Sequence, residues 1–275
     1  MIRVLTLNLW GRGGDWPRRR AALRDGLREL RPDLIAFQEA FKTAEHDTVA
    51  EILDADYHVH HQTTGLLGDG NCAAIACRWP LLRVRELDQQ LTPRAADFPA
   101  TTLLGEIDAP DPVGKLLFVN HLPSWKPQHE LERELQTCAA VRAIDAIVSE
   151  RRMHAVLAGD LDAVPEAASI RFLRGLQSLG GLSVCYRDAW GAAHPDDPGH
   201  TFAVHNPLVM EESDVRQEVS RRIDYIFLRC DEHGPTLEIT SCALAFAEPI
   251  DDRFASDHFG LVADLDVPAA ADLTA

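Results

Sequence analysis

The sequence predicts an α/β protein in which two sheets pack together and helices cover their outer faces. Two observations lead there. Short apolar segments bounded by Gly, Pro or Asp recur along the whole chain, which is how strands are punctuated. A few longer stretches with apolar residues at helical spacing alternate with them, give way to a run of strands, and then return. No repeat or linker divides the 275 residues. Residues 1–267 are therefore expected to form a single domain, with the Ala-rich, patternless stretch 268–275 as a flexible tail.

Ile2–Leu9 is apolar and β-rich, a first strand. Asp15, Trp16 and Pro17 make a helix cap and first turn; Leu23, Leu27 and Leu30 then share one face, and Pro32 ends the helix. Leu34–Gln38 is a short buried strand, and Thr43–Leu53 a second candidate helix. Strands are expected at Tyr57–Gln62, Cys72–Cys77, Leu82–Leu87, Thr101–Ile107 and Leu116–His121. The longest helix, about Pro127–Glu150, carries the stripe Leu131, Leu135, Cys138, Val141, Ile144 and Val148. A strand at His154–Ala158 and a helix at Glu166–Leu176 follow. Gly191–Ser220 lacks clear periodicity, and strands resume at Ile223–Arg229, Leu237–Phe246 and Leu261–Val267.

Composition narrows the class. Hydrophobic residues at 46% and charged residues at 25% are ordinary for a globular chain. The net charge of −16 opposes long-range attraction to nucleic acid and suits divalent cations. The six cysteines form no C-x-x-C pair, so neither a zinc motif nor a disulfide framework is expected. With no signal peptide and no apolar run of membrane length, the expectation is a cytoplasmic monomer without stable membrane association.

Five segments end a probable strand on a polar residue: LTLN to Asn8, LIAFQE to Glu39, FVNH to His121, VLAGDLD to Asp162, and SDH at Ser256–His258. A sixth, RIDYI at Arg222–Ile226, opens a strand. Such runs deliver their polar ends to one rim of a sheet, where a rigid scaffold carries a site. A carboxylate at Glu39 beside the Asn8 amide suits a hard cation that takes oxygen ligands.

In this order, Asn8, Glu39, Asn71, His121, Asp160, Asp224 and Asp257–His258 resemble the endonuclease/exonuclease/phosphatase (DNase I-like) superfamily, over Val4 to Asp264. The resemblance implies a four-layer α/β/β/α sandwich, two mixed, mainly antiparallel sheets between outer helices. It implies an Mg²⁺-dependent phosphoesterase (Mn²⁺ as alternative) in which water attacks phosphorus in line, with no covalent intermediate. By the same resemblance Asn8, Glu39 and Asp257 lie at the metal and His258 at the scissile phosphate. Asp224 hydrogen-bonds His258, His121 donates to a phosphate oxygen, and Asp160 orients water or touches the metal. Asn71 either contacts a substrate phosphate or shapes a turn.

The chain departs from the family's Gly-Asp-x-Asn: it has Gly159-Asp160-Leu161-Asp162. On an extended segment both aspartates face one way. Asp162 either binds a second metal, the reading favoured here, or stays protonated beside Asp160.

For the substrate, Arg221–Arg222, Arg94 and Arg133 are the cations expected to reach or border the site, enough for a phosphate or two and too few for a duplex. Arg18-Arg19-Arg20 is expected to be a solvated helix face. Trp125 either stacks on substrate or packs in the core. The 191–220 stretch, with His194, His200, Phe202, His205, Asn206, Glu211, Glu212 and Asp214, is either an acidic specificity loop or plain surface. The favoured substrate is a phosphorylated small molecule. The alternatives are nucleic acid, as for a nuclease, and then a phospholipid, as for a sphingomyelinase-like diesterase.

Overall fold

The structure is a computed structural model describing residues 1–211, 219–250 and 252–268. Glu212 and Asp214, and the tail beyond residue 268, lie outside the described residues. In chain order the first elements are β1 (Ile2–Asn8), α1 (Trp16–Leu30), β2 (Leu34–Phe41), α2 (Thr48–Ile52), β3 (His58–His61) and β4 (Asn71–Cys77). Then come β5 (Leu81–Asp88), β6 (Thr101–Asp108), β7 (Lys115–Leu122), α3 (Glu130–Arg151), β8 (His154–Asp160) and α4 (Ala168–Leu173). The last are β9 (Tyr186–Asp188), α5 (Ala189–Ala193), α6 (Pro207–Glu211), β10 (Asp224–Asp231), β11 (Gly234–Pro235), β12 (Glu238–Ala245) and β13 (Gly260–Asp266).

One sheet runs β12-β13-β1-β2-β4-β3; the other runs β11-β10-β8-β7-β6-β5, with β9 on β10. The sheets face each other across a core that includes Val4, Ile75, Phe118, Val156, Ile226 and Leu261. Leu23, Leu27 and Val49 cover the outer face of the first sheet, and Val141, Ile144 and Ile170 that of the second. These are the four layers expected. Among the described residues only β1–β2 and β7–β8 are parallel, each pair joined by a helix. Strands covered on both sides read as continuous apolar runs.

Two helices are shorter than in the sequence reading, and a third buries a different face. The second helix shrinks to Thr48–Ile52, because the Thr48 hydroxyl is held by the Phe41 backbone and Asp47 caps at Ala50 N–H. The fourth covers only Ala168–Leu173. In α3, Leu131 and Leu135 are exposed and the first turns bury Glu132, Arg133 and Gln136 instead. Those turns lie on the loop after β7 rather than on the sheet: Arg133 donates to the Ser124 and Lys126 carbonyls and Gln136 to the Gln89 carbonyl.

One polar group ties the two sheets together beneath the rim. Asn120 on β7 is fully buried; its Nδ2 donates to the Phe37 and Ala74 carbonyls, 2.8 and 2.9 Å away, and its Oδ1 accepts from Gln38 Nε2. Asn120→Ala orphans all three partners, so it is expected to lower stability by about 2–4 kcal/mol in urea unfolding.

Strand direction makes the rim polar. β1, β2 and β8 end there. β10 begins there, antiparallel to β8, with Asp224 opposite Asp160. Residues 257 and 258 arrive just before β13, which is antiparallel to β1.

Candidate active site

Backbone irregularities aim the side chains. Pairing of β2 with β4 slips between Phe37 and Ala40, a bulge in which Glu39 takes φ 47°. Gly159 has no room for a side chain, since a Cβ would meet the His121 carbonyl oxygen. This explains Gly-Asp at the end of β8. After Asp160 the chain turns: Asp162 has φ 49° and its N–H donates to Asp160 Oδ1 at 3.1 Å. The extended segment expected there is absent, so the argument that strand alternation aligns Asp160 with Asp162 does not hold. The two meet through a turn.

The cluster is dense in charge. His258 Nδ1 lies 3.0 Å from Asp224 Oδ2, and His258 Nε2 lies 3.8 Å from Asp160 Oδ2. Ligand atoms of Asp160, Asp224 and His258 all fall within 4.8 Å of one another. Asn8 Nδ2 donates to Asp160 Oδ2 at 2.9 Å and to Glu39 Oε1 at 3.1 Å, while its Oδ1 accepts from Trp10 N–H. That orientation places Asn8 against the carboxylates that would hold a cation, with its oxygen turned away from them. Its amide nitrogen links two carboxylates and its oxygen is turned to the backbone.

Burial and like charge set the protonation. Burial, then Asp257, push Glu39 up to about 7. Burial raises Asp162 to about 7, with Glu39 adding to the effect. Burial and the neighbouring Asp162 and Asp224 hold Asp160 well above the usual carboxylate range. Burial alone would lower His258, but Asp224 and Asp160 outweigh it and raise the imidazole well above its ordinary value. Among the described residues no Lys or Arg forms an ion pair with Glu39, Asp160 or Asp162. Asp224 also keeps a buried oxygen, Oδ1, without a hydrogen bond. Crowded carboxylates that resist ionisation, with no Lys or Arg paired to them and only the His258 imidazole beside them, fit a divalent ion taking oxygen ligands. Glu39 and Asp257, with Asp160 and Asp162 beside them, are the residues that would hold it.

Other expected site residues stand elsewhere. His121 faces the α3 side of β7; its Nδ1 is 2.8 Å from the Thr102 hydroxyl, its Nε2 3.5 Å from that of Thr137, and burial lowers it to about 3. It is a neutral core histidine with no exposed surface, not a phosphate donor at the rim. Arg222 is 6% exposed and bound to Asp188 at 2.9 Å, with its guanidinium over Tyr225, so it does not enter the cluster. Arg94 is matched by Glu132 at 3.3 Å. Asn71 starts β4 opposite Phe41, its Oδ1 buried without a hydrogen bond. Trp125 is 48% exposed on the loop after β7, which excludes core packing.

Several supporting residues escaped the sequence reading. Arg19, taken for a solvated residue, is 2% exposed between Trp10 and Trp16 and donates to the Leu9, Gly13 and Ala255 carbonyls. It clamps the loops after Asn8 and before Asp257–His258. The signal was its spacing: four residues before Leu23 and eight before Leu27, on the apolar face. Ser256 Oγ donates to the Asn8 carbonyl and to Asp257 Oδ1, and Asn206 Nδ2 to the Ser256 and Asp257 carbonyls. Phe202 meets the His258 ring edge to face at 5.0 Å.

Two facing sheets under outer helices, with a buried carboxylate–histidine cluster at one rim, define the DNase I-like class of hydrolase folds. Known proteins agree. The sequence pattern of the endonuclease/exonuclease/phosphatase family matches residues 5–258, and the chain belongs to that family, whose members are phosphodiesterase and nuclease hydrolases. No curated protein sequence matches. D. rerio TDP2 complexed with single strand DNA product is similar in structure at 20% identity and a TM-score of 0.74, over 97% of this chain and 99% of that one. Truncated Caenorhabditis elegans TDP2 gives 17%, 0.74, 97% and 98%. The human Nocturnin catalytic domain with bound sulfate anion gives 14%, 0.71, 97% and 94%.

Proposed function

We propose that this protein hydrolyses a phosphate ester of a small molecule with the help of a divalent cation, Mg²⁺ or Mn²⁺. The observation that carries the reading is the buried Asp224–His258–Asp160 cluster beside Glu39. A bound cation would supply charge neutralisation at a phosphoryl oxygen. The chain's own groups do the rest. Asp224 holds His258 protonated, and His258 donates to a phosphoryl oxygen as negative charge develops there. Asp160, anchored by Asn8, orients the attacking water. Asp162 adds charge for the cation in place of the usual amide donor.

A small substrate is favoured because Arg94 is matched by Glu132 and Arg222 is held on one side by Asp188, which leaves few cations for a polyanion in a chain of net charge −16. A second reading, a nuclease acting on single strands, is supported by the D. rerio TDP2 likeness and by exposed Trp125, suited to stacking on a base.

The test is hydrolysis of nucleotides, sugar phosphates, inositol phosphates, choline phospholipids and single-stranded oligonucleotides with Mg²⁺, Mn²⁺ or Ca²⁺. The expected result is turnover of a small phosphate ester that stops with EDTA and returns with Mg²⁺. Cleavage confined to oligonucleotides would select the nuclease. Turnover that survives EDTA would sink the cation-dependent reading.

A further inference from the structure

Beside the catalytic cluster lies a second cleft, of about 490 Å³, with three arginines on its walls: Arg174, Arg221 and Arg222. Its walls are continuations of the site segments. Arg222 is two residues before Asp224, and Val164 two residues after Asp162, so those Cα atoms lie within about 7 Å of the cluster's own. His200 precedes Thr201 and Phe202, and Phe202 touches both Arg221 and His258.

The cations there are not spent on the fold alone. The Arg174 guanidinium, at the end of α4, makes no hydrogen bond or ion pair among the described residues, although its backbone N–H caps the helix on the Ile170 carbonyl. Arg222 is buried and rigidly held by Asp188, yet its buried Nε–H has no hydrogen-bond partner. A buried donor without an acceptor is costly and points to one supplied from outside the chain. Two carboxylates, Asp197 (which accepts from Gly199 N–H) and Glu166, also border the cleft and offset part of the arginine charge. With so little surplus charge the cleft suits one phosphate, not a polyanion.

We infer that this cleft binds a second phosphoryl group of the substrate, with Arg174 and Arg222 as its donors. The inference rests on the proposed phosphoesterase reading for the word substrate, whereas the cleft itself can be tested without turnover. Trp190 forms its floor and is 5% exposed, so the pocket is built into the core rather than laid on the surface.

Inorganic phosphate is titrated calorimetrically into the full chain, with EDTA present so that no cation recruits it to Glu39. Wild-type protein is expected to bind, His258→Ala to keep that binding, and Arg174→Glu to weaken it about tenfold or more. Arg174→Ala, a milder change at a half-buried position, should fall between and guards against misfolding, checked by circular dichroism. No binding by wild type, or binding indifferent to both Arg174 variants, overturns the proposal. A second arm compares kcat/KM for thymidine 5′-(4-nitrophenyl phosphate) with and without a 3′-phosphate. The second phosphate is expected to raise kcat/KM, and Arg174→Glu to erase that advantage. Should no phosphate ester of the panel, these two included, turn over while phosphate binding still depends on Arg174, the phosphoesterase reading fails and the anion site stands.

Discussion

His258→Ala is expected to lower kcat/KM of the proposed hydrolysis by about 10³-fold, since one group removes both a proton donor and a positive charge facing the phosphate. The pH profile separates this role from that of a general base. Asp224 and Asp160 raise the imidazole well above its ordinary value of 6.5, against burial. If His258 acts protonated, activity holds through neutral pH and falls as pH rises through the raised value. A base would give the reverse, activity climbing through that value. Asp224→Asn removes the largest raising influence, so the falling limb should move to lower pH. An alkaline limb unmoved in Asp224→Asn would exclude His258 as the titrating group. The same linkage affects stability. A histidine with a raised folded value stabilises fully below 6.5, and that contribution is lost as pH rises through the folded value.

Residues that end a strand were legible in the sequence because two constraints coincide there. The run before Glu39 or Asp160 is apolar and the residue itself is not, so both the strand and its direction into the rim can be read. Asp224 and Asp257–His258 were legible for the same reason, at the start of strands running the other way. Residues inside a strand gave less. Asn120 and His121 are adjacent on β7 and point to opposite faces, and no single-sequence signal says which face meets the site. His121 went to the helix side, where Thr102 and Thr137 satisfy it. Charge deceived in the other direction. Arg19 and Arg222 read as surface or substrate-facing cations, yet each is buried by partners remote in sequence, the Ala255 carbonyl and Asp188. Only the fold brings such partners together. Leu131 and Leu135 failed because they lie on the outward face of α3, while Glu132, Arg133 and Gln136 of the same turns face inward.

Glu39→Gln is expected to stabilise the metal-free protein while abolishing its response to Mg²⁺. Glu39 is pushed from 4.5 up to about 7 by burial, then by Asp257. Between those values the folded state holds a proton that the unfolded chain has released, so stability falls as pH rises from about 4.5 to 7. At 1.36 kcal/mol per unit, ionising Glu39 in the folded, metal-free protein costs on the order of 3 kcal/mol at neutral pH. Glutamine keeps the shape, removes the charge, and still offers an acceptor to Asn8 Nδ2. Calorimetry in EDTA at pH 7.5 should therefore show a Tm higher than wild type by roughly 5 °C. At pH 4.5, where wild-type Glu39 is protonated in the fold, the two should converge. Adding Mg²⁺ at about 100 times its Kd should stabilise wild type by about 2.7 kcal/mol and leave Glu39→Gln nearly unmoved. Equal stabilisation of both proteins by Mg²⁺ would place the cation away from Glu39. A lower metal-free Tm in Glu39→Gln would mean that the ionised carboxylate has a matching donor in the fold, and that its crowding with Asp257 does not cost stability.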